Sequence, residues 1–156
     1  MERIQSAVQY KSEGCNCAQA VLLSLRAECG AEKETACRAA CGFGGGMRAG
    51  ELCGAATGAV MAIGLALGNS DARDTESRDR AYAAVIEFNR RFKERFGTLI
   101  CRELLGVDTS TPEGKRRMAG QPELGKICPV LVGEAESMAR ALLREYGICA
   151  RGQDEV

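Results

Sequence analysis

The chain has 156 residues, the length of one domain that can bury a full hydrophobic core without staples. Lys plus Arg number 21 and so do Asp plus Glu, so at zero formal net charge no global field recruits nucleic acid or an anionic membrane. Nine cysteines stand against no histidine, which excludes Ser-His-Asp and Cys-His catalysis, His-bearing zinc sites and C-x-x-C-H haem attachment.

Met1-Glu2-Arg3-Ile4-Gln5 opens on charge, without the apolar stretch of a secretory signal. With an odd cysteine count, this points to a reducing, cytoplasmic compartment, where clustered cysteines mean metal or redox chemistry. Ile4, Ala7, Val8 and the stem of Lys11 then mark a first amphipathic helix ending near Gly14. Asn16 is a good N-cap for a second helix, with Ala18, Val21, Leu22 and Leu25 on its apolar side and a stop near Gly30. A short third helix, 32–40, runs into Gly42-Phe43-Gly44-Gly45-Gly46, which breaks it as a tight connection.

The uncharged stretch 52–68 is about 17 residues, the short limit for a membrane span. Its Gly and Ala content suits a buried central helix better. Residues 71–96 form one long surface helix, with Ala81, Tyr82, Val85, Phe88, Phe92 and Phe96 as its inward stripe. A short helix over 99–105 follows, then a loop over 107–123 that holds two of the three prolines. Cys128-Pro129 opens the last helix, whose core candidates are Val130, Leu131, Ala135, Met138, Ala139, Leu142 and Leu143. The expected fold is all-α, a single-domain bundle of six or seven helices over 1–150, around the central Gly/Ala-rich helix, with 151–156 a disordered tail.

Gly54, Gly58, Gly64 and Gly68 each cost a helix about 1 kcal/mol against alanine. Tight helix packing, or a cofactor lying on bare backbone, should offset that cost. Gly54, Gly58, Gly44 and Gly45 are therefore the candidate cofactor-contacting glycines. Gly44-Gly45-Gly46-Met47-Arg48-Ala49 nominally fits a dinucleotide fingerprint, but no strand precedes it.

Four cysteines from four elements fall at helix N-termini: Cys17, Cys53, Cys101 and Cys128. Unpaired N–H groups and the macrodipole favour an anion there, which lowers a thiol's pKa and makes the sulfur a better nucleophile or metal ligand. Cys29, Cys37, Cys41 and Cys149 read as buried filler. Cys15, next but one to Cys17, is an additional possible ligand. No C-x-x-C exists, so any site is assembled by the tertiary fold alone.

The segments Gly14-Cys15-Asn16-Cys17-Ala18-Gln19-Ala20-Val21, Gly42-Phe43-Gly44-Gly45-Gly46-Met47 and Cys53-Gly54-Ala55-Ala56-Thr57-Gly58 resemble the C-GCAxxG-C-C family of redox-active proteins. The resemblance places the family's four cysteines on Cys17, Cys53, Cys101 and Cys128, and implies redox activity without an established substrate. Similar domains joined to c-type haem segments imply electron transfer, although this chain carries no haem segment. The three readings are a Cys-ligated iron–sulfur cluster passing single electrons, a metal-free thiol–disulfide couple, and a structural four-cysteine zinc site in a binding module. A redox partner protein and a homodimer are the expected partners, with no nucleic acid and no membrane insertion.

Overall fold

Buried apolar surface, supplied mostly by alanine, leucine and phenylalanine, gathers the helices of this chain around two central ones. The computed structural model describes residues 3–151. Among them are nine α-helices: α1 Ala7–Ser12, α2 Cys17–Ser24, α3 Arg26–Cys29, α4 Lys33–Ala40, α5 Gly54–Leu67, α6 Thr75–Phe96, α7 Cys101–Leu105, α8 Pro112–Gly120 and α9 Ile127–Glu145. The fold is all-α, as the periodicity implies. Of the expected tail 151–156, only Arg151 is described, and its N–H donates to Ala27 O. The rest lies outside the described residues, as do Met1 and Glu2.

Local chemistry explains the helix starts. Ser6 with Gln9, and Asn16 with Gln19, form full capping boxes on α1 and α2. The Glu32 carboxylate accepts from Glu34 N and Thr35 N at the head of α4, and Asp74 accepts from Ser77 N at the head of α6. Gly30, Gly97 and Gly106 end α3, α6 and α7 in the left-handed conformation.

The helix expected from Asn16 to Gly30 is two helices. Ser24 Oγ donates to Val21 O at 2.8 Å, and Leu25 N is shared between Val21 O and Leu22 O, which tightens the turn and breaks the ladder. The expected loop 107–123 contains α8. Thr111 caps it by accepting from Gly114 N, and Pro112 occupies its first turn, so this proline starts a helix inside the expected loop.

α2 and α5 pack together at the centre, flanked by α1, α9 and α6. α2 is buried nearly all round, through Ala18, Ala20, Val21, Leu22, Leu23 and Ser24. Gly54 and Gly58 let α5 approach α2: a Cβ on Gly58 would stand 2.5 Å from Ala18 O, and one on Gly54 would stand 3.1 Å from Cys17 Cβ. Gly64 faces open space and takes no part. On α6 the inward stripe is Ala81, Ala84, Phe88 and Phe92, with Val85 and Phe96 half-buried; Tyr82 points outward at 61 % exposure. On α9, Val132 and Glu136 join the expected core residues, whereas Val130 is exposed and Met138 half-buried.

Glu136 belongs to a buried polar network. Arg140 donates to Glu28 Oε1 (2.6 Å), Glu136 Oε1 (2.8 Å) and Ser24 O (2.9 Å), and Glu136 Oε2 accepts from Ala7 N (2.8 Å). The network ties α9 to α1 and to the α2–α3 corner. Among the described residues no helix is long and apolar enough to cross a membrane.

Candidate functional site

Cys17 is the first residue of α2, held by the Asn16 cap. Cys53 caps α5, Cys101 begins α7, and Cys128 is the second residue of α9, whose cap is Lys126. Pro129 follows in the first turn of α9, where its missing N–H is harmless.

Cys53 and Cys101 are set side by side by a single antiparallel bridge between Leu52 and Ile100. Cys53 N donates to Leu99 O at 2.7 Å and Cys101 N to Glu51 O at 2.6 Å. Arg102 reinforces the same junction by donating to Gly50 O and to Glu51 Oε1. Helical periodicity hides a bridge this short. Cys101 also packs under a left-handed turn, Gly45-Gly46-Met47-Arg48, in which Met47 (φ 62°) and Arg48 (φ 57°) hold a conformation that favours glycine. A Cβ on Gly46 would stand 2.7 Å from Cys101 Cβ, so bare backbone is required there.

Cys17 and Cys128 act on each other most strongly. The neighbouring Cys17 thiol pulls the Cys128 pKa down from its ordinary 9.0; burial opposes the shift and Lys11 assists it. The Cys128 thiol in turn, with burial and the Cys128 charge, pushes Cys17 up. Cys53 is raised by burial, although the N–H groups of Ala56 and Ala55 pull against it. Cys101 is raised to about 11 by burial and by the charges of Cys53, Cys128 and Asp108, with Arg48 opposing.

These directions correct one expectation. Helix N-termini do not make all four cysteines anionic, because Cys53 and Cys101 are buried, and desolvation outweighs the N–H groups that face Cys53. Of the four, Cys128 is the one pulled down, and the other three are pushed up.

Lys11 was assigned to the first helix's apolar side through its stem, yet its charge lowers Cys17, Cys128 and Cys15. Lysines at the end of a short helix are common, so nothing in the sequence singled it out. The candidate glycines are covered by protein: Gly44 by the Asn16 side chain, Gly45 by Arg48 and Thr109, Gly54 and Gly58 by α2. Of the other cysteines, Cys29 is buried as expected, Cys15 and Cys37 are half-buried, and Cys41 and Cys149 are exposed and are not filler.

The four cysteines act on one another's charge, but among the described residues no three Cys, Asp or Glu donors converge so as to hold a metal ion. The donor set therefore does not fit a preformed zinc or cluster site. Its one ready element is the coupled pair Cys17 and Cys128, the first pushed up and the second pulled down. Residues 15–142 match the family described as "Putative redox-active protein (C_GCAxxG_C_C)". No curated protein and no solved structure matches the chain.

Proposed function

The chain belongs to the C_GCAxxG_C_C family of redox-active proteins, and from that premise we propose that Cys17 and Cys128 are a reversible dithiol–disulfide couple serving a disulfide-bearing redox partner. The mutual influence of the two thiols, which pulls Cys128 down and pushes Cys17 up, carries this reading. Cys128, the more readily ionised of the two, attacks one sulfur of the partner's disulfide, whose other sulfur leaves as a thiolate and takes up a proton. Cys17 loses its proton and attacks the Cys128 sulfur, releasing the partner's second thiol. Two electrons pass to the partner, and the Cys17–Cys128 bond remains.

Cys53 and Cys101 are more thiols than one couple needs, and this favours, as a second reading, the four cysteines as ligands to an iron–sulfur cluster. A four-cysteine zinc site draws on the same residues. Because the donors do not converge as they stand, no step is assigned to either group.

The full chain, purified without oxygen, separates the readings. Oxidised dithiothreitol should join Cys17 to Cys128, detected by peptide mapping, and excess reductant should part them. Iron with acid-labile sulfide in the purified protein, or zinc with both thiols unreactive, would overturn the couple.

A further inference from the structure

Cys101 and Cys128 lie beside a segment that the rest of the chain holds only lightly. Cys101, Leu105 and Val107 form a small apolar cluster, against which Met118, Leu124, Ile127 and Cys128 pack. Met118 and Leu124 come from residues 112–126, which carry α8 and the tight turn Leu124–Lys126 that leads into α9. Of α8 only Gly114 is buried; Met118 is half-buried, and every other residue of the helix is exposed. α8 makes only slight contact with any other helix. Among the described residues, no hydrogen bond or ion pair ties 112–125 to the chain before Asp108 or beyond the first turn of α9.

The two ends of the segment are fixed. Ahead of it, Asp108 O accepts from Thr111 N and Thr111 Oγ1. The Asp108 carboxylate lies over Gly50, where a Cβ would stand 2.6 Å from Oδ1. Behind it, α9 enters the main core through Leu131, Val132 and Ala135. A segment pinned at both ends, with its hydrogen bonds kept to itself and two apolar side chains as its main grip, can lift as a unit while the rest stays folded. Its exposed side chains keep their water in either position, so lifting uncovers little besides Met118, Leu124 and the cluster beneath them.

We propose that residues 112–126 are a lid on the cysteine site, lifting to admit the partner's disulfide to Cys128 and closing again over Cys101. The role in admission rests on Cys128 as the attacking thiol of the couple; the opening itself does not. Closed, the lid leaves Cys128 half-buried and Cys101 at 8 % exposure.

The test labels the fully reduced full chain with a small thiol reagent at rising urea below the unfolding transition. Labelled peptides are quantified by mass spectrometry, each cysteine relative to its rate in the unfolded chain. Cys29, at 7 % exposure in the main core, is the reference for Cys101. Cys101 should label about tenfold faster than Cys29, at a rate that urea hardly changes, because a local opening exposes little surface. Met118→Ala and Leu124→Ala should each speed Cys101 several-fold and leave Cys29 where it was. A Cys101 rate that climbs with urea as steeply as unfolding itself overturns the lid. So do two variants that leave the ratio of the Cys101 and Cys29 rates unchanged. Labelling involves no disulfide exchange, so the lid and the Cys17–Cys128 couple stand or fall separately.

Discussion

A thiol is a nucleophile only after it loses its proton, so the question at each cysteine is what would hold the resulting charge. At Cys128 the holder is another thiol, Cys17, with Lys11 in support. Alkylation of Cys128 should therefore reach half its maximal rate at a pH well below that of an ordinary cysteine. Cys17→Ser keeps a hydroxyl donor and should leave that midpoint low, whereas Cys17→Ala should move it up towards the ordinary value. Lys11→Met should raise it by a few tenths of a unit, the size of one partly screened charge. An unmoved midpoint in Cys17→Ala would sink this account.

Cys101 shows the opposite balance. Burial raises it to about 11 from 9.0, so the folded chain keeps a proton that the unfolded chain releases above pH 9. Stability is then full below pH 9 and falls as pH rises towards 11, by on the order of 2 kcal/mol. Urea midpoints under reducing conditions at pH 8, 9 and 10 should decline, and should decline less in Cys101→Ala. Equal slopes in the two chains would remove Cys101 as the cause.

At the scale of elements, α5 carries glycines of two kinds. Gly58 lies against the backbone of α2, where an added methyl would press on Ala18 O at 2.5 Å, an atom that cannot yield without moving the helix. Gly58→Ala should cost about 2 kcal/mol or more through overpacking. Gly64 meets nothing, and Gly64→Ala should stabilise by about 1 kcal/mol through helix propensity. Thermal unfolding of both variants checks the contrast, and equal effects would contradict the packing. The same close approach places Cys17, on α2, beside the start of α5, so Gly54 and Gly58 position the site through helix packing. Pro112, after Thr111 and before Glu113, stands in the first turn of α8, where proline's missing N–H is harmless and local sequence already encodes a helix start.

At the scale of the molecule, the site needs α1, α2, α5, α7 and α9 in register, and Arg140 is one clamp that sets it. Its guanidinium joins Glu28, Glu136 and the Ser24 carbonyl, and Glu136 in turn receives Ala7 N. Arg140→Met would leave two carboxylates without their cation, Glu28 with its side chain only 4 % exposed. The expected loss is about 3 kcal/mol, read from chemical denaturation. A loss below 1 kcal/mol would show that the carboxylates find water or protons instead.

The helical periodicity, the cap at Asn16 and the four cysteines at helix starts were all legible in the sequence, because caps and apolar spacing are local properties of neighbouring residues; the Asp74 cap, which starts the long helix at Thr75 and not at residue 71, was not read. The fold class followed from them. The choice of Cys128 as the one thiol pulled down, the Leu52–Ile100 bridge that seats Cys53 beside Cys101, the reach of Lys11 into the pocket and the Arg140 clamp belong to the tertiary structure. Each depends on groups far apart in the chain. Charge and burial act through space, and helix spacing encodes which face a residue occupies but not which distant residue it meets.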